Sequence, residues 1–167
     1  MYDTITRWLA GITPNNDRKK IAVPMKAIGD RLSSQCLTSA GLVITATSGK
    51  YTAKIGASDT YAVANGTLVK VAAGTDMTTP AGVITAGSYN VFCFFVDAAG
   101  ALTTLMGVEG TTVAKVKFPQ PPENKAMLGF ILVTYASTFT GGSTALDTAT
   151  TVYVNTVGAV DPTILLN

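Results

Sequence analysis

From Gly41 onward, apolar and polar residues alternate in short runs rich in Val, Ile, Thr, Tyr and Phe, and Gly, Asn and Asp separate the runs. A period of two marks strands with one face buried. The pattern predicts strands at 42–47, 51–56, 60–64, 67–73, 82–86, 88–97, 101–106, 112–118, 125–135 and 150–156. No long helix lies between them to carry a parallel crossover, so the strands must pair antiparallel. Short strands at such regular spacing favour a sandwich or barrel; the expected all-β fold is an antiparallel β-sandwich, with a jelly-roll arrangement among its variants. Asn65-Gly66 offers a two-residue hairpin turn of the primed type, and Asp97 to Gly100 a longer one.

Two of these strands have no polar face. In SYNVFCFFVD, Tyr89, Val91, Cys93 and Phe95 point one way and Phe92, Phe94 and Val96 the other. In AMLGFILVTY, Met127, Ile131, Val133 and Tyr135 oppose Leu128, Phe130 and Leu132. A two-layer sandwich buries only the inner face of each sheet, so the second apolar face needs a cover. The N-terminal segment and a neighbouring subunit are the two candidates. The proline-rich FPQPPENK at 118–125 reads as a rigid extended strap between sheets.

Residues 1–38 follow a different pattern and form an arm; residues 39–167 form the β domain with an apolar C-terminal tail. Trp8, Leu9 and Ile12 have helical spacing, but Gly11 and Pro14 stop the turn, and NNDRKK is a loop signal. In PMKAIGDRLSSQ, Pro24 suits a first turn, and Met25, Ile28 and Leu32 form a one-sided stripe at i, i+3 and i+7. Such a helix either packs on its own domain or docks on another subunit, because a segment this short buries little by itself. At the other end Asp161-Pro162 marks a turn, followed by Ile164, Leu165 and Leu166 with no strand partner. Trp8, Ile12, Met25, Ile28, Leu32, Ile164, Leu165 and Leu166 are therefore the candidate contacts with a partner or sister subunit.

Composition sharpens the assembly reading. Twelve basic and ten acidic residues make up 13% of the chain, against about 25% in ordinary globular proteins. A chain with half the usual charge has surface to hide. The net charge of +2 provides no field to recruit nucleic acid or an anionic membrane. Charge is nonetheless skewed: Arg7, Arg18, Lys19, Lys20, Lys26 and Arg31 crowd the start, and nothing after Lys125 is basic. Arg18, Lys19 and Lys20 are thus an electrostatic contact for an acidic partner, or a merely solvated run. No secretory signal is recognised at the start, and no apolar run reaches a membrane span, so assembly in a cytosol is expected. Cys36 and Cys93 lack metal or redox spacing and are expected to be reduced thiols.

Catalytic chemistry finds little footing. Histidine is absent, which removes His-dependent triads and the commonest metal ligand. The acids nearest in sequence, Asp97 and Glu109, are twelve residues apart, so no DxD or EF-hand cluster exists. Ser48-Gly49-Lys50 ends like a phosphate loop, but Gly41 is too distant and Tyr51 replaces the Ser or Thr, so a turn explains it better. Asn65-Gly66-Thr67 matches a glycosylation sequon and is also the turn the flanking strands require. The expectation is no enzyme, no cofactor, no metal and no small-molecule substrate.

The stretches KIGASDTYAVANGTLVKVAAGTDM, YNVFCFFVDAAGALTTLMG and VKFPQPPENKAMLGFILV, with the close FTGGSTALD and TTVYVNTVGAVDP, resemble small virion structural proteins of tailed bacteriophages. The resemblance spans roughly residues 50–162 and lies in turns and straps rather than a catalytic signature. It implies a capsid decoration or cement protein, a homotrimer on the exterior of the head that contacts the major capsid protein near three-fold positions. Two alternatives stand beside it: a tail, fibre-associated or head-tail joining protein, and a carbohydrate- or cell-surface-binding β-sandwich module. A long fibre would show internal repeats, and none is found.

Overall fold

The computed structural model describes residues 21, 22, 25, 28, 29 and 32–159. Among the described residues eleven strands follow one another: β1 (Gln35–Cys36), β2 (Val43–Ile44), β3 (Ala53–Lys54), β4 (Thr60–Ala64), β5 (Thr67–Val71), β6 (Val83–Ile84), β7 (Tyr89–Val96), β8 (Leu102–Met106), β9 (Ala126–Thr134), β10 (Phe139–Thr140) and β11 (Thr150–Asn155). All pairings are antiparallel, as the short connections require. The protein is all-β, and among the described residues its strands gather into four sheets: β11-β9-β7-β8, β1-β4-β5, β2-β3 and β10-β6.

One core joins the two larger sheets. Cys36, Ala62, Ala64, Val69 and Val71 from β1-β4-β5 meet Phe92, Phe94, Val96, Leu128, Ile131 and Val133 from the four-stranded sheet. The β4–β5 hairpin turns on Asn65 (φ 49°) and Gly66 (φ 75°), the pair of positive dihedrals that a primed turn demands. The β7–β8 turn is held by Asp97, whose Oδ1 accepts the amides of Ala99 and Ala101 at 3.0 and 2.9 Å.

Strand β7 is buried on both faces as its sequence predicts, with Val91, Cys93 and Phe95 in one cluster and Phe92, Phe94 and Val96 in another. In β9 the expected alternation breaks. Leu128 lies on the core side with Ile131 and Val133, whereas Met127 lies with Phe130 and Leu132 on the opposite side. The cause is a bulge: Phe94 pairs with Gly129 but Phe95 pairs with Met127, leaving Leu128 as the extra residue.

The second face is covered by the chain itself, which corrects the expectation of an arm or a neighbouring subunit. Residues 112–118, read from sequence as a strand, instead form a 3-10 turn at Val113–Lys115 and then cross the sheet. Amides of Lys115 and Val116 bond back to Thr112 and Val113, so the segment satisfies itself locally and contributes only the Val108–Lys117 bridge. Val116 and Phe118 then pack on Val91, Cys93, Phe95 and Phe130. The Phe118 and Phe130 rings meet edge to face at 4.9 Å and 87°. Lys125 pins the far end of the strap, with Nζ 2.7 Å from Thr103 Oγ1 and 3.6 Å from Asp97 Oδ2.

Candidate functional site

Of the residues singled out from sequence, Trp8, Ile12, Arg18, Lys19, Lys20, Ile164, Leu165 and Leu166 lie outside the described residues. Met25, Ile28 and Leu32 are described, and with Ile21, Ala22, Gly29 and Ser33 they are helical. Their stripe does not pack on the β body. Exposure rises from 39% at Ile21 through 56% at Met25 and 58% at Ile28 to 59% at Leu32. Ile21, which sequence reading missed, extends the stripe to spacings of four, three and four residues.

The root of this helix is fixed. The Gly66 amide donates to Ser33 O at 2.8 Å, and the Asn65 amide donates to Ser34 Oγ at 2.9 Å. Both amides of the β4–β5 turn are therefore committed to the end of the arm. Gln35 and Cys36 continue into β1 against Val63 and Ala62, so the helical reading of PMKAIGDRLSSQ stops short of Gln35.

Beside that root lies an apolar surface that sequence reading did not pick out. The face of β1-β4-β5 turned away from the core carries Leu37, Tyr61, Val63 and Leu68, the last 64% exposed. The Cys36–Gly158 bridge brings exposed Val157 alongside Leu37 in the same row. Lys70 also sits on this face, and its Nζ is held by Asp59 at 2.6 Å. The signal was present in the sequence: β4 is apolar on both faces, with Ala62 and Ala64 inward and Tyr61 and Val63 outward.

The carboxylates serve turns. Asp76 accepts the hydroxyls of Thr45 and Thr47 at 2.5 and 2.7 Å, Glu109 accepts the amide and hydroxyl of Thr85 at 2.9 and 2.8 Å, and Asp147 binds Lys50 Nζ at 2.7 Å. Ser48-Gly49-Lys50 is a tight turn, Gly49 and Lys50 both at positive φ, with the Lys50 amide bonded to Thr47 O. Among the described residues no three His, Cys, Asp or Glu side chains are grouped to hold a metal. Cys36 and Cys93 are unpaired and buried, and burial raises both thiols above their ordinary pKa, which keeps them protonated.

These bonds set the pH response. Hydrogen bonds from Lys70 (Asp59), Thr45 (Asp76), the Ala101 amide (Asp97), the Thr85 amide (Glu109) and Lys50 (Asp147) lower each carboxyl below its ordinary 3.8, or 4.5 for Glu109. A depressed folded pKa stabilises the fold fully above the unfolded value, and that contribution is lost as pH falls through the folded value. With no histidine to titrate, melting temperature is expected to stay flat from about pH 8 to 5 and to fall below about pH 4. A titration of thermal melts checks this; a steep loss between pH 7 and 5 would contradict it.

An open cleft of about 350 Å³ is lined by Gly87, Tyr89, Thr134, Tyr135, Ala136, Thr148 and Thr150. Its polar groups are hydroxyls and backbone, with no carboxylate or amine among them. No family model matches the chain, and neither does any curated protein or solved structure.

Proposed function

We propose that this chain is a structural virion protein, a decoration or cement protein that sits on the outer face of a phage head as a trimer and stabilises the shell. The observation that carries the proposal is the apolar helical stripe of Ile21, Met25, Ile28 and Leu32, exposed on an arm whose root is bonded to the body. An arm built this way delivers apolar side chains away from its own domain. The low charge of the chain fits a molecule with much of its surface in contact.

The mechanism is a clamp. The arm carries Trp8 and Ile12 ahead of the stripe, and each large side chain well buried at the shell contributes about 1.5–3 kcal/mol gross. Ordering and association costs offset much of that. A trimer presents three arms, so every contact after the first is intramolecular. Arg18, Lys19 and Lys20 set encounter and register with an acidic exterior. The tail residues Ile164, Leu165 and Leu166 dock on a sister subunit.

Deleting residues 1–20 is expected to abolish most binding to preformed shells in a co-sedimentation assay while leaving the β body folded. Undiminished occupancy would sink the arm role. In whole particles, quantitative mass spectrometry should find hundreds of copies; a dozen or fewer would place the protein in the tail or at a vertex instead. The cleft between Tyr89 and Tyr135 supports a second reading, a module that binds a neutral glycan, since two aromatic rings and three threonine hydroxyls suit a sugar. Shifts of those two tyrosine resonances on titration with a neutral oligosaccharide, without shell binding, would favour it.

A further inference from the structure

We infer that the exposed face of β1-β4-β5 is covered by the helical stripe of a second copy of this chain. Among the described residues two apolar surfaces have no partner: a helix stripe of Ile21, Met25, Ile28 and Leu32, and a sheet face of Leu37, Tyr61, Val63, Leu68 and Val157. A helix stripe on a sheet face is a standard layer packing. The two surfaces belong to one chain and adjoin at the Ser33–Gly66 bond, yet the stripe remains solvent-exposed instead of folding back. Each surface therefore waits for the other from a different copy.

Area favours this arrangement over a bundle of stripes alone. Nine part-exposed side chains at roughly 90 Å² each give about 800 Å² buried per copy, divided in a head-to-tail ring between two contacts of roughly 400 Å² a side. Stripe against stripe would use four of the nine, roughly 400 Å², and would leave the sheet face wet. Charge does not oppose the contact. Lys70 is the one charged residue among those placed on the face, and Asp59 already holds it. Taken head to tail, the contact repeats from copy to copy and closes into a ring where its rotation closes; the proposed trimer is such a ring.

This deepens the assembly reading by naming the partner of the stripe, and it leaves Trp8 and Ile12 for the shell. Its test uses purified full-length protein with no shells present, so its failure is separable from failure of the virion reading. Native mass spectrometry should show a closed oligomer, and a monomer at micromolar concentration overturns the inference. Two single-substitution chains of different mass, Ile28→Cys and Leu68→Cys, are then mixed and oxidised. The buried native thiols are out of reach. A disulfide between the two chains is expected. Linking confined to Ile28→Cys with itself, or to Leu68→Cys with itself, overturns the inference, as does a link within one chain carrying both substitutions.

Discussion

Replacing Phe130 with alanine should lower the unfolding free energy by about 3–5 kcal/mol, the range for truncating a fully buried phenylalanine. Phe130 is 0% exposed, lies across from Cys93 on β7 and Val154 on β11, and carries the edge-to-face contact with Phe118. Its side chain fills the space between the four-stranded sheet and the strap, so truncation leaves a cavity that the proline-rich strap, anchored through Lys125, is poorly able to close. Phe118 is only half-buried, and Phe118→Ala should cost roughly half as much, about 2 kcal/mol. The two changes share a contact, so a double-mutant cycle in urea should return a coupling of about 0.5–1.5 kcal/mol. Strict additivity would mean that the strap does not cover this face in solution and that the cover comes from elsewhere.

That prediction rests on a part of the fold only half legible in the sequence. Unbroken apolar runs in VFCFFV and GFILV announced two buried faces, and they are buried. The identity of the cover was hidden because TVAKVKF alternates with the same period whether it pairs at a sheet edge or lies across a sheet. What separates the two is where its amides bond: those of Lys115 and Val116 bond to Thr112 and Val113 within the segment, and Lys117 makes a single bridge to Val108 in place of a ladder. The bulge at Leu128 was hidden for a related reason. Met127 and Leu128 are both apolar, so the pattern tolerates either phase, and the register shift against Phe94 and Phe95 decides it.

Strands longer than about five residues were readable because each carries several alternations: β4 and the hairpin to β5 fall where Asn65-Gly66 puts them. The two-residue strands β1 and β10 carry no period at all and arise from tertiary pairing with β4 and β6. The candidate surface divides the same way. Met25, Ile28 and Leu32 were visible as a helical stripe, whereas Leu37, Tyr61, Val63, Leu68 and Val157 come from four separate segments and become one patch only when the strands align.

A chain held monomeric at that patch should bind shells about 10²–10⁴-fold more weakly than the native protein, the factor by which linked sites exceed a single one. Leu68→Asp is the variant of choice. Leu68 is 64% exposed and lies opposite Val63 at the mouth of the β4–β5 turn, so an aspartate there remains solvated in the monomer and desolvates only when a second copy covers it. The fold should survive, with an unchanged far-ultraviolet spectrum and a melt near that of the native monomer. Residues 1–20 are intact in this variant, so each single arm keeps its own affinity for the shell, and only the gain from presenting three arms together is lost. Binding to shells measured against protein concentration separates the possibilities: a shifted midpoint with an unchanged plateau is the expected result. A midpoint unmoved by monomerisation would show that one arm suffices and that avidity has no part in the clamp, while a lowered plateau would point to direct contact between the patch and the shell.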